Sequence, residues 1–133
     1  MKLVKPIRNC HCDSGKPYTN CCGLYHEGAV APNALALMRS RYSAYVLGLE
    51  AYLLATWHPD TRPKSLHLSD ADKQMVWQGL SVASTEQVSV TEALVTFVAQ
   101  YKDLALAGRA VRLEEKSVFQ RMNQQWFYVK AIS

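Results

Sequence analysis

The sequence predicts an α+β fold in which N-terminal helices pack on a curved antiparallel β-sheet, preceded by a compact cysteine-rich finger. Three observations predict it. All four cysteines of the 133-residue chain fall between Cys10 and Cys22. Apolar residues then recur at Leu35, Met38, Tyr42, Tyr45 and Val46, the i, i+3, i+4 rhythm of an amphipathic helix. From Thr91 onward the pattern changes to β-type alternation broken by turn residues. Helices first and an antiparallel meander last is the order of an α+β domain.

The chain opens with a short basic arm over residues 1–9, carrying Lys2, Lys5 and Arg8. It is read chiefly as solvated terminal charge. Met1 to Pro6 holds no apolar run of signal-peptide length. The finger follows as Cys10-x-Cys12, eight intervening residues, then Cys21-Cys22. Four thiolates can close a tetrahedral Zn²⁺ site with Zn–S bonds of about 2.3 Å. Ser14-Gly15-Lys16-Pro17 is turn chemistry that folds the second pair back onto the first. So small a segment lacks apolar surface, and zinc would supply on the order of 10 kcal/mol. Two disulfides are the competing reading. They require an oxidising compartment, and one between the neighbours Cys21 and Cys22 would be strained. The expectation is therefore zinc on Cys10, Cys12, Cys21 and Cys22 in a cytoplasmic protein.

His11 lies between two ligands and is expected to point away from the metal. His26 is expected to pack or cap rather than to bind metal. Lys16 and Arg8 would partly neutralise the thiolates. With Tyr18, they are the candidate residues for contact with a partner. The formal charge of +4 falls to about +2 once four thiolates and one Zn²⁺ are counted, which weakens a nucleic-acid reading based on charge alone. No stretch of about 20 apolar residues exists, so no membrane span is expected.

Asn33 is a good N-cap and Gly48 a natural C-terminal stop for the first helix. Arg39 and Arg41 are expected on its other faces. A second helix, from about Leu49 to Thr56, carries Tyr52, Leu53, Ala55 and Trp57 around its axis and is expected to be well buried. Residues 58–70 read as a loop with two prolines. Ser69 or Asp70 would cap a short helix running through Met75-Val76. The strands follow. Trp77–Glu86 would place Leu80, Val82 and Ser84 on one face. Thr91–Lys102 places Ala93, Val95, Phe97, Ala99 and Tyr101 on one side. Ala110–Met122 is the third, and Gln125–Ile132 returns after an Asn123-Gln124 turn.

A curved sheet over helices can leave a pocket at its open end. On the third strand Val111, Leu113, Glu115, Ser117 and Phe119 share one face, and Glu115 is its odd member. A carboxylate there pairs with a cation or lines a cavity. Arg39, Arg41, His58 and Arg62 are its candidate partners, and Trp57-His58 ends a helix near the opening. Glu115 and His58 could act as an acid–base pair on a small ligand, or as a structural ion pair, which is the commoner use. Arg39 and Arg41 likewise read as structural partners of Glu50, Asp60 or Glu115 before they read as an anion clamp. No nucleophile, phosphate loop or second metal set is present, and no catalytic residue is assigned.

Cys10-x-Cys12-x-Ser14-Gly15-Lys16 followed by Cys21-Cys22 resembles the SEC-C motif, a small zinc-binding module also found at the C-terminus of the bacterial preprotein-translocation ATPase. The likeness continues through Gly23-Leu24-Tyr25-His26-Glu27-Gly28, Ala36-Leu37-Met38-Arg39-Ser40-Arg41-Tyr42-Ser43-Ala44-Tyr45 and Tyr52-Leu53-Leu54-Ala55-Thr56-Trp57-His58-Pro59. Together these resemble the bacterial YchJ family. The resemblance implies a SEC-C motif with its basic arm over 1–28 and a nuclear transport factor 2-like (cystatin-like) domain over 29–133. Members often carry Pro and Gly where this chain has His11 and Asp13, both non-ligand positions. Some have a second SEC-C motif after the last strand, whereas one finger is expected here. No catalytic residues carry over from this largely uncharacterised family. By analogy with SEC-C modules the expected partner is a protein in export, chaperoning or translation, with RNA as the alternative. Face-to-face pairing of such sheets makes monomer and homodimer the two expected states.

Overall fold

The computed structural model describes residues 9–68 and 75–133. The basic arm with Arg8, and the proposed cap at Ser69 or Asp70, lie outside the described residues. A short 3₁₀ turn, Tyr18–Asn20, leads into α1 (Cys22–His26), α2 (Ala34–Leu47) and α3 (Glu50–Ala55). Four antiparallel strands follow in sequence order: β1 (Met75–Gln87), β2 (Glu92–Asp103), β3 (Arg109–Met122) and β4 (Gln125–Ala131). This is the expected α+β arrangement of helices and meander.

The limits of α2 have local causes. Asn33 Oδ1 accepts the Ala36 N–H at 2.8 Å, satisfying one of the orphan donors of the first turn. At the other end Gly48 takes φ 72°, and its N–H reaches the carbonyls of Ala44 and Tyr45. The burial of α2 is wider than an amphipathic stripe. Leu37, Ser40 and Ala44 are enclosed as fully as Met38 and Tyr42, because finger, α3 and sheet all pack on it. Arg41, expected off the apolar stripe, is consequently interior at 5% exposure. The second helix departs the other way. It ends at Ala55, Leu53 is its one fully enclosed residue, and Ala55 is exposed. Trp57 has left the helix to bridge Tyr128 on β4.

Met75 and Val76 belong to β1, not to a helix, since they pair with Asp103 and Lys102. Irregularities between Trp77 and Gly79 and between Val82 and Ser84 shift the register of β1. A bulge adds one residue to one strand and changes which parity faces inward. Trp77 and Leu80 therefore both meet the core cluster, whereas Ser84, expected beside Leu80 and Val82, is exposed. In β2, Ala93, Val95, Phe97 and Ala99 face that cluster as expected. Asn123 and Gln124, at φ 51° and 66°, form the β3–β4 turn, the two-residue geometry that matches strand twist.

Chain outside the sheet bonds to each edge strand at one place. The main chain of residues 56–58 lies along β4: the His58 N–H donates to Tyr128 O at 2.7 Å, and the Tyr128 N–H donates to Thr56 O at 2.9 Å. On β1 the Leu80 N–H donates to Asp13 Oδ2 of the finger at 2.9 Å.

Candidate metal centre

The finger is built by a fold-back. Asn9 and Pro17 form an antiparallel bridge, and the Cys10 N–H donates to Lys16 O at 2.9 Å. Asp13 sits at φ 60°, in the left-handed region where glycine is at ease. Gly23 admits no side chain, because a Cβ there would lie 2.7 Å from Tyr18 O. This close approach lets α1 start directly beneath the 3₁₀ turn and turns Cys22 toward Cys10 and Cys12.

The four Sγ atoms of Cys10, Cys12, Cys21 and Cys22 all lie within 4.8 Å of one another. Cys12 Sγ and Cys21 Sγ are 3.6 Å apart. Tetrahedral Zn–S bonds of about 2.3 Å put sulfurs about 3.8 Å apart, whereas a disulfide needs about 2.05 Å. All four thiols are free. Cys10, Cys12 and Cys22 are buried and Cys21 is half-buried. Four thiols so placed can hold a metal ion. No histidine joins the group among the described residues.

The thiols differ in acidity. Hydrogen bonding from Cys22, with help from Ser14, pulls Cys12 well below the ordinary thiol range. Its bond to Cys12 and then burial push Cys22 up, and burial pushes Cys21 up. Cys12 is thus the more readily ionised of these three thiols. Around the cluster, Ser43 Oγ of α2 is 3.4 Å from Cys10 Sγ, and Ser14 Oγ is 3.1 Å from Cys21 Sγ. Arg39 Nη1 donates to Cys12 O at 2.6 Å. Arg39 therefore brings positive charge to the finger from α2. Lys16 itself is exposed.

His26 fastens the finger to the helices. Its Nε2 donates to Ser40 O at 2.8 Å, and its Nδ1 lies 2.6 Å from Tyr18 Oη. Because a carbonyl only accepts, Nε2 carries the proton, and neutral His26 takes the Tyr18 hydroxyl on Nδ1. Tyr18, considered above for partner contact, thus spends its hydroxyl inward.

The second group of candidates is only partly brought together. A cavity of about 380 Å³ between α2 and the sheet is lined by Arg41 and Glu115, with Tyr42, Trp77, Phe97 and Phe119 among its apolar walls. Arg39, Trp57 and His58 do not line it. Arg39 is turned to the finger. Trp57 and His58 are drawn to β4, and the His58 side chain lies 3.9 Å from Asp60. The expected Glu115–His58 pair is not formed: Glu115 Oε2 accepts the Ser117 hydroxyl at 2.6 Å. Arg41 pairs with no acid within 4.0 Å among the described residues. Its Nη1 donates to Leu53 O and Thr56 Oγ1, each at 2.7 Å, and its guanidinium stacks over Trp57 and Tyr128. Glu50 instead accepts from Ser65 Oγ and the Leu68 N–H, and Arg62 donates to Trp57 O.

Residues 33–131 match the family model described as YchJ, middle NTF2-like domain. The chain belongs to the YchJ family. A UPF0225 protein of Bordetella pertussis is 48% identical over 123 residues, 90% of this chain and 89% of the relative. A UPF0225 protein of Chromobacterium violaceum is 47% identical, covering 99% and 98%. Among solved structures, the chain is similar to a SEC-C motif containing protein from Rhodopseudomonas palustris, with a TM-score of 0.84 and 29% identity over 95% of this chain and 98% of that one. One from Psychrobacter arcticus gives 0.80 and 26% over 93% and 81%. A YchJ chain with SEC-C relatives and four clustered thiols is consistent with metal binding at the finger. No helix among the described residues is long and apolar enough to cross a membrane.

Two contributors escaped the sequence reading. Asp13 closes the finger onto β1, and Ser43 reaches the cluster from α2. The signal for Asp13 is a carboxylate within the turn that joins the two cysteine pairs.

Proposed function

We propose that the chain is a cytoplasmic zinc protein whose Cys10, Cys12, Cys21 and Cys22 hold Zn²⁺ structurally, and that it is a non-catalytic module recruiting a protein partner through the finger. The observation that carries this reading is the closed thiol set: four Sγ atoms within 4.8 Å, three of the four residues buried. A four-cysteine shell leaves no position for water or substrate, which is the signature of structural rather than catalytic zinc. Bound there, zinc supplies a cross-link between the two arms of the finger. The surrounding residues set its orientation, with Arg39 holding Cys12 and Ser43 beside Cys10.

The face beside the cluster supports recruitment. A shallow cleft of about 320 Å³ is lined by Lys16, Asn20, Cys21, Asn33 and Arg39. Two cations and no carboxylate among these residues suit an acidic peptide segment. Tyr18 contributes through the shape of the finger, since its hydroxyl is bonded to His26.

The test is partner capture by photocrosslinking from the outer face of the finger, comparing the zinc-loaded protein with its Lys16→Glu variant. Loss of the crosslinked protein in a variant that keeps its zinc and melting temperature is expected. Unchanged capture would contradict the finger as the interface. If RNA were the partner instead, affinity would fall steeply between about 50 and 200 mM salt.

A further inference from the structure

The cavity between α2 and the sheet has a polar composition that neither the metal centre nor the finger explains. Arg41 lines it at 5% exposure and faces no carboxylate within 4.0 Å among the described residues. Its direct partners are a main-chain oxygen, a hydroxyl and two aromatic faces, none of which is an anion, and the Glu115 carboxylate acts on it only from beyond ion-pair distance. Burial lowers Arg41 only to about 10, so the guanidinium is charged at neutral pH. Trp77 also lines the cavity, and its Nε1 is a buried donor with no hydrogen-bond partner. Buried charges are normally compensated and buried donors normally satisfied.

A buried cation with no ion pair within 4.0 Å among the described residues and an unpartnered indole donor, set in walls of Tyr42, Phe97 and Phe119, define a ligand by its chemistry. We propose that this cavity binds a small monoanionic carboxylate with an aromatic or aliphatic body, its carboxylate directed to Arg41 and its body against the aromatic walls. A carboxylate is an acceptor-only group that matches the guanidinium fork. The volume, about 380 Å³, lies in the range of small-molecule sites. Glu115 on the same wall limits the ligand to one negative charge, because a second anionic group would meet its carboxylate. Leu113, 39% exposed and lining the cavity, stands where it meets solvent. None of the four cysteines lines this cavity.

The experiment is calorimetric titration of the full-length zinc-loaded protein with 2-naphthoate, 2-naphthamide and naphthalene-2,6-dicarboxylate. The naphthoate is expected to bind, with the neutral amide and the dianion each weaker by about tenfold or more. Equal binding of acid and amide would remove Arg41 as the recognition element. No heat with naphthoate up to millimolar concentration would overturn the proposal outright. Leu113→Trp, which narrows the mouth, should weaken naphthoate by about tenfold; undiminished binding would place the ligand elsewhere. Should that variant fold poorly, amide and indole ¹H–¹⁵N spectra of the natural chain decide. Shifts centred on the Trp77 indole support the cavity, and shifts confined to the finger contradict it.

Discussion

His26 shows how a single side chain decides the relation between finger and helices. It bridges Tyr18 and Ser40 and packs edge-on against Tyr52, with ring centroids 4.7 Å apart. Tyr18→Phe keeps the ring and deletes the donor, so it should cost about 1 kcal/mol in urea unfolding. Burial lowers the His26 pKa below its ordinary value of 6.5. The unfolded chain then takes up a proton that the folded chain resists. The stability contributed by neutral His26 is full above about pH 6.5 and is lost as pH falls below it. The stability gap between the natural chain and His26→Gln should therefore shrink from about pH 7.5 to about pH 5.5. A gap independent of pH would mean that the ring is not held neutral. Arg41 gives the complementary lesson about legibility. Counting nearby acids in the sequence suggested Glu50, Asp60 or Glu115 as its partner. The actual acceptors, Leu53 O and Thr56 Oγ1 at the end of α3, include a main-chain oxygen that no composition or motif displays. They sit at the negative end of a helix, where a cation is favoured.

At the scale of elements, what was readable is what local chemistry fixes. Asn33 and Gly48 announced the ends of α2, and strict alternation announced β2. Asn33→Ala should cost about 1 kcal/mol, measured by chemical denaturation, through the lost Ala36 N–H bond. The β3–β4 turn holds Gln124 at φ 66°, a conformation that costs a residue with a Cβ about 1 kcal/mol. Gln124→Gly should accordingly raise stability by about 0.5–1 kcal/mol; a loss of stability would show that the Gln124 side chain contributes contacts outweighing the strain. What was not readable depends on neighbours. The register shifts of β1 leave no mark in its alternation until β2 is laid beside it. The shortened α3 likewise follows from pairing of residues 56–58 with β4, a contact about 70 residues away in sequence.

At the scale of the molecule, finger and sheet are not separate bodies in packing terms. Cys10, Cys12 and Cys22 belong to the same hydrophobic cluster as Leu37, Val95, Phe119 and Trp126. Asp13 and Arg39 add polar ties across the same boundary. A finger sharing its core with the domain should not melt alone. Cys22→Ser is expected to lower the midpoint of one cooperative transition for the whole chain, with a loss of about 3 kcal/mol or more. Two separate transitions would show instead that the finger is an appendage. The thiol spacing was the most legible feature of the sequence, because ten to twenty residues of turn chemistry leave the chain few ways to arrange four cysteines. The cavity was legible in Glu115, odd on an apolar strand face, and in Arg41 as its candidate partner, whereas Trp77 carried no such signal.

The central claim is that four thiols hold one zinc ion. Native mass spectrometry of the purified chain, with a free-thiol count on the same sample, tests it most directly. One zinc per chain with no reactive thiols is the predicted result. A metal-free folded chain with four reactive thiols, or with two disulfides, would contradict it.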